Sequence, residues 1–257
     1  MKSVVNLYKP VGMTPLQAVD KFRVRHRRYS KIKMSYPGRL DPMACGVLLV
    51  LVGDENKKMV NYMGLDKEYR AKILLGFSSD SYDILGLGCS KDCGELEIRE
   101  IKKVLKGFKG KYKFQLPVYS SYKIKGKSLF YYARSGKLDE VDIPSREVEI
   151  KSVKIDSVYN IGAGKLLKEI VRKVGLVDGD FRQEEIIEKW KELLEGKDEK
   201  FLVVDVVIGC SSGTYIRAIA DDLGKKLGCG GLLLGLERLK VGKFGVKGAE
   251  RIGGKGK

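Results

Sequence analysis

The segment best suited to chemistry is Gly38-Arg39-Leu40-Asp41-Pro42. Asp41 stands between Gly38 and Pro42, which sharpen and stiffen the backbone, just ahead of an apolar run. A carboxylate held on such a loop can act as nucleophile or general base. The same residue types also make an ordinary turn. Other reactive types are scarce. The one histidine, His26, lies among cations in Arg23-Val-Arg-His-Arg-Arg-Tyr-Ser-Lys31. Ser-His-Asp, Cys-His and His-rich zinc chemistry are therefore excluded unless His26 does all the work. Its cationic neighbours point to contact with a nucleic-acid backbone instead. The five cysteines (Cys45, Cys89, Cys93, Cys210, Cys229) are odd in number and irregularly spaced, which argues against a disulfide framework. Cys89-Ser-Lys-Asp-Cys93 is the one close pair, and no second pair completes a metal site. There is no Walker loop, and Gly228, Gly230 and Gly231 do not form a dinucleotide fingerprint.

The elements that would position Asp41 belong to a globular chain. Its 257 residues are 43% hydrophobic, enough for a sizeable core. Fifty Lys+Arg against 33 Asp+Glu leave a net charge of +17. That surplus points to a polyanionic partner, most simply nucleic acid, against the alternative of a solvated lysine-rich surface. The longest apolar run, 46–52, falls far short of the roughly 20 residues that span a bilayer. The N-terminus has no signal-peptide pattern. A soluble, cytoplasmic protein without a membrane role is expected.

Strands are expected at Ser3–Leu7, over the apolar run 46–52, at Tyr69–Leu75, Val148–Ile155 and Phe201–Ile208. Thr14-Pro15 reads as a helix start, with Leu16, Val19 and Phe22 on its inner face. Asp54–Tyr62 and Ile98–Leu105 have helical spacing. Two apolar stripes, one over Leu166–Val174 and one over Ile186–Leu194, are broken by Gly175–Asp180 and predict a helical hairpin. Ser212-Gly213-Thr214 reads as the start of a helix running through Leu223, with backbone N–H groups able to hold a phosphate. Gly253–Lys257 reads as a flexible tail. Strands separated by helices without strict alternation predict a mixed α/β sheet.

Gly38-Arg-Leu-Asp-Pro-Met-Ala-Cys-Gly46 resembles the G-x-L-D-P-x-A-x-G motif of the TruB family of tRNA pseudouridine synthases. The likeness continues in order along the chain. Lys9-Pro10-x-Gly12-x-Thr14 resembles the family's opening K-P-x-G-x-T-S, with Pro15 where Ser is usual. Asp66-Lys-Glu-Tyr-Arg70 is similar to D-K-x-Y, and Gly76-Phe-Ser-Ser-Asp-Ser-Tyr-Asp83 to G-x-x-T-D-T-x-D. Pro117–Lys127 with Tyr131-Tyr-Ala-Arg134 resembles P-x-Y-S-A-x-K-x-x-G-K…Y-x-x-A-R. Cys210-Ser-Ser-Gly-Thr-Tyr-Ile-Arg217 through Gly224 resembles C-S-x-G-T-Y-I-R…D-L-G.

The resemblance implies an α/β (α+β) pseudouridine-synthase-like fold: a mixed, largely antiparallel sheet flanked by helices. It implies one catalytic domain over 1–257, with the 161–200 helical hairpin inserted in it. The usual C-terminal RNA-binding domain is expected to be missing, the sequence leaving no room for it after Phe244. The implied reaction isomerises the position-55 uridine of the tRNA T-loop by base flipping, and needs no cofactor and no metal. Asp41 maps to the nucleophile, Arg217 to the arginine that pairs with it, and Tyr69 to the active-site tyrosine that stacks under the base. Asp80 maps to a cleft aspartate facing the base edge. Arg39 and Tyr215 fall within the matched motifs as substrate-binding positions. Many family members carry His five residues before the nucleophile. Tyr36 stands there, able to wedge and stack but not to carry a proton near neutral pH.

Two basic, aromatic-interleaved stretches suit RNA. One is Arg23–Lys31, with Tyr29. The other is Lys123, Lys125 and Lys127, with Tyr119, Tyr122, Tyr131 and Tyr132, which by resemblance closes over the tRNA T-arm. Two other readings stay open: a non-catalytic tRNA-binding or folding module, and the same reaction on another structured RNA.

Overall fold

The computed structural model describes residues 2–252; the tail read as flexible, 253–257, lies outside the described residues. β1 (Val4–Lys9) alternates strictly, so Val5 and Leu7 point inward and Lys9 is carried inward with them. α1 (Pro15–Arg25) starts at a capping box. Thr14 Oγ1 accepts from Gln17 N–H, and the Gln17 amide oxygen accepts from Thr14 N–H at 2.7 Å. Its buried residues are Pro15, Ala18, Val19 and Phe22, the i, i+3, i+4, i+7 set. Leu16, expected on that face, lies beside the stripe and is exposed.

β2 (Met34–Ser35) is short, and β3 (Ala44–Val52) is buried on both faces, which explains its unbroken apolar run. The stretch expected to be one helix over Asp54–Tyr62 is a 3₁₀ segment followed by α2 (Met59–Met63). After β4 (Lys67–Leu75) come the hairpin strands β5 (Phe77–Ser79) and β6 (Gly88–Ser90), then α3 (Ile98–Lys106) and β7 (Gly110–Gln115). β8 (Lys123–Ile124) and β9 (Lys127–Ser128) form a small hairpin leading into α4 (Leu129–Arg134). β10 (Ser145–Gly162) and β11 (Lys200–Cys210) form a long antiparallel ribbon, joined through α5 (Ala163–Val174) and α6 (Gln183–Leu194). α7 (Ile216–Lys226), β12 (Gly231–Val241), β13 (Phe244–Gly245) and β14 (Glu250–Arg251) complete the chain. α7 begins at Ile216 rather than at 212–214, because Thr214 Oγ1 bonds back to Ser211 O and Gly213 turns the backbone at φ +82°.

Among the described residues these strands make one ten-stranded sheet, ordered β14-β1-β3-β12-β4-β11-β10-β7, with β2 on β3 and β13 on β12. Only β1–β14 and β3–β12 run parallel, so the sheet is mixed and largely antiparallel. Its two faces are filled by different helices. Tyr69, Ala71 and Ile73 of β4 pack with Ile101 and Leu105 of α3 and with Ile219 and Leu223 of α7. Leu74, Val203, Leu232 and Leu234 face the other way, onto Leu166, Ile170 and Val174 of α5 and Ile186, Trp190 and Leu194 of α6. The expected helical hairpin is therefore present, with both stripes buried. No helix among the described residues is long and apolar enough to cross a membrane.

Candidate active site

Asp41 leaves the sheet just before β3, on a loop fixed from two sides. The Pro42 carbonyl accepts from Gly12 N–H at 2.9 Å, which docks the 9–14 loop against it. Lys9 Nζ donates to Pro10 O (3.0 Å) and Met13 O (2.7 Å), and burial brings its ammonium down to about 7. From β12, the buried Arg238 guanidinium donates to Val47 O (2.7 Å), Arg39 O (3.0 Å) and Gly38 O (3.1 Å). Three carbonyls thus hold a buried cation, and that cation holds the loop. Gly46 allows the approach: at φ +107°, any Cβ there would come within 2.3 Å of Arg238 O.

Arg217, at the second position of α7, is buried behind Asp41 with its Nε 2.9 Å from Asp41 Oδ2. The contact is an ion pair without a well-aligned N–H···O bond. The other guanidinium nitrogens donate to Ser81 O (2.7 Å) and Tyr119 O (3.1 Å). Asp83 Oδ2 lies 3.9 Å from the same Nε. Burial disfavours the arginine's charge, yet Asp41 and Asp83 more than offset it, and its pKa rises. Asp83 is fully enclosed. Burial pushes its carboxyl up to about 6, against the pull of Arg217, the Ser81 hydroxyl and Leu85 N–H. Asp41 itself keeps 40% of its side chain exposed, so its carboxylate is open to solvent. Asp41, Asp83 and Arg217 line one small recess with Met43, Leu233 and Leu234.

Tyr69 lies on β4 opposite Arg238 of β12 and is buried; burial pushes its phenol up, so it stays protonated. Tyr215 precedes α7 and packs edge-on to Phe114. Burial, and then the Asp41 carboxylate, raises its hydroxyl as well. Asp80 has both oxygens engaged: Oδ1 accepts from Leu87 N–H (2.9 Å) and Oδ2 pairs with Arg182 (2.9 Å). Tyr36 packs on the small core around Val5, Phe22 and Leu48. Arg39 and Lys123 are exposed.

The basic stretches are only partly what their composition implied. Tyr29 is 1% exposed and packs on Phe22, so it has no free face for a base. His26 meets the Glu250 carboxylate at 2.5 Å. Tyr132 is buried, its hydroxyl on Ile124 O. In contrast, Tyr122, Phe130 and Tyr131 are exposed, with Lys127 Nζ 4.4 Å from the Tyr131 ring. Sequence reasoning passed over Asp83, Arg238 and Arg182. Asp83 was signalled by its place three residues after Asp80 in a motif already matched. Arg238 sits among Glu237 and Lys240 and reads as a surface charge.

The fold is shared with two solved structures, a Cbf5–Nop10–Gar1 complex and an archaeal box H/ACA Nop10–Cbf5 complex. The TM-scores are 0.56 and 0.54 at 20% identity, over 94% and 97% of this chain and about half of each matched chain (49% and 51%). Residues 26–163 match the TruB family pseudouridylate synthase N-terminal domain. The tRNA pseudouridine synthase B of Clostridium tetani is 33% identical over 249 residues, covering 96% of this chain and 70% of that protein. Its counterpart in Desulfotalea psychrophila is 36% identical over 94% of this chain and 82% of that protein. Fold, motifs and similarity together define an RNA pseudouridine synthase, an isomerase. The chain belongs to the TruB family of pseudouridylate synthases.

Proposed function

We propose that the protein converts the position-55 uridine in the T-loop of tRNA to pseudouridine, with Asp41 as the nucleophile. The observation that carries this reading is a half-exposed carboxylate backed at 2.9 Å by a buried arginine, on a loop clamped by Arg238 and Gly12. In the reaction the N1–C1′ bond breaks, the base turns, C5 bonds to C1′, the C5 proton passes to solvent and N1 takes up a proton, so substrate and product are isomers. Asp41 can attack the sugar, as carboxylates do in glycosidases, or the base; both routes use the same geometry. Arg217 orients the carboxylate. Tyr69 presents a ring for the flipped base and a phenol that stays protonated. The exposed Tyr122, Phe130, Tyr131, Lys123 and Lys127 form the surface that meets the T-arm. The tRNA assignment is supported by the names of the relatives, the T-loop site by the matched motifs.

The test uses tRNA carrying 5-tritiated uridine. Wild type is expected to release tritium, and Asp41→Asn is expected to bind the same tRNA without releasing it. Unchanged release by Asp41→Asn removes the assignment of the nucleophile. Release from other stem-loops at the rate of an isolated T-arm hairpin removes the T-loop assignment.

A further inference from the structure

The α5–α6 hairpin reaches well beyond the apolar sheet it covers. Its connecting turn, 175–182, is tied to both flanks of the Asp41 site. On one flank, Asp178 N–H donates to Gly12 O (3.2 Å) and the Asp178 carboxylate accepts from the Gln17 amide (2.8 Å). The approach is close enough that a Cβ on Gly12, at φ +93°, would stand 2.3 Å from Leu176 O. Gly12 is also the residue that holds Pro42, next to Asp41. On the other flank, Arg134 at the end of α4 donates to Asp180 Oδ2 (2.8 Å) and to Asp180 O (3.0 Å). The turn is ordered from within. The Gln183 amide donates to Val177 O and Gly179 O and accepts from Phe181 N–H.

Arg182 sits between these flanks. It pairs with Asp80 at 2.9 Å, and its guanidinium lies 4.8 Å from the centre of the Tyr119 ring. The Tyr119 carbonyl is the one held by Arg217, so a single residue separates Arg182 from the guanidinium behind Asp41. Arg182 also has a left-handed backbone, φ +62°, a conformation that costs a non-glycine residue free energy and persists only where the surroundings enforce it.

We propose that Arg182 is a substrate-binding residue that takes a backbone phosphate of the RNA at the rim of the Asp41 site, making the hairpin turn part of the binding wall. The inference rests on the function proposed above. Asp80 uses one of the five guanidinium N–H groups, and the rest of the fork is free to bind a phosphate bidentately. The pair is 23% and 31% exposed, so an incoming anion meets it without breaking a buried ion pair. The Tyr119 ring supports the guanidinium plane from below. Asp41 and Asp83 put two carboxylates in the recess, which repel a polyanion, and a nearby cation offsets them.

The experiment measures binding of the full chain to unmodified tRNA transcript at graded KCl, together with steady-state tritium release. Arg182→Gln is expected to raise KM about tenfold, leave kcat within about twofold, and reduce the slope of log affinity against log salt by about 1. Arg182→Lys keeps the charge and restores that slope. Arg182→Gly, which adopts the left-handed backbone without strain, repeats the test should Gln disturb the turn. An unchanged salt slope in the Gln and Gly variants, or a loss confined to kcat, overturns the proposal. If wild type binds tRNA but releases no tritium, the function fails, and the salt slope alone decides the role of Arg182.

Discussion

Asp41–Arg217 and Asp80–Arg182 are both ion pairs of 2.9 Å, and Tyr119 touches the arginine of each. They are built in opposite ways. In the first, the arginine is only 4% exposed, and Ser81 O and Tyr119 O immobilise it, while the carboxylate is the partner open to solvent. In the second, both partners reach water, and the arginine stands on a turn with most of its donors free. Equal distances therefore serve different ends. On the function proposed above, the fixed cation aims the carboxylate, and the solvated pair holds a cation that an RNA phosphate can take. The carbonyl of Tyr119 and its ring face the two arginines, so one residue sets their spacing.

The sharpest way to break this contrast is Arg217→Ala. It removes the cation that orients Asp41 and strands Asp83 as a buried carboxylate. Loss of one side of a buried pair costs about 3–5 kcal/mol, and loss of a preorganised electrostatic partner about a hundred- to a thousandfold in rate. Urea unfolding and single-turnover tritium release measure the two effects. If Arg217→Ala proves as mild as Arg182→Gln, the distinction between a fixed and a releasable arginine does not hold.

Next in size is a pH dependence at Asp83, the buried carboxyl that faces the fixed arginine. The native Asp83 carboxyl titrates at about 6 against an ordinary value of 3.8. Between those values the folded protein holds a proton that the unfolded chain has released. The Asp83 contribution to stability therefore falls as pH rises from about 4 to about 6 and is level above that, a change of about 3 kcal/mol at 1.36 kcal/mol per unit. Asp83→Asn is expected to flatten this part of the curve, measured by urea midpoints across pH 3.5–7.5. A difference between wild type and Asp83→Asn that instead rises through that window would mean that Arg217 outweighs burial at Asp83.

These contrasts were legible in the sequence to unequal degrees. β3, α1 and the two stripes of the hairpin follow from periodicity and caps, because each buries one contiguous set of apolar side chains. The pairing of Asp41 with Arg217 came from matched motifs 176 residues apart in sequence, and no local pattern implies it. β12 was missed although it is central in the sheet: Glu237, Arg238 and Lys240 break its apolar pattern and read as surface. Arg238 is buried because the Gly38, Arg39 and Val47 carbonyls satisfy it, and those partners become neighbours only once the sheet has formed. The hairpin was readable as two helices. What was not readable is that its turn lands on Gly12, Arg134 and Asp80, since those contacts depend on how the β10–β11 ribbon folds back.

The smallest expected effect is also the most discriminating. A double-mutant cycle on Asp80→Asn and Arg182→Gln, read by urea unfolding at low salt, should give a coupling of about 0.2–1 kcal/mol, typical of a solvent-accessible pair. Side-chain exposure sets that ceiling, because water screens the attraction and holding two flexible side chains costs entropy. The coupling should shrink further as KCl rises. A cycle on Asp83→Asn and Arg217→Ala has no such screening and should give several times as much, persisting in salt. A large, salt-insensitive coupling at Asp80–Arg182 would mean that the hairpin turn is welded to the cleft, and the arginine would then be unavailable to an RNA phosphate.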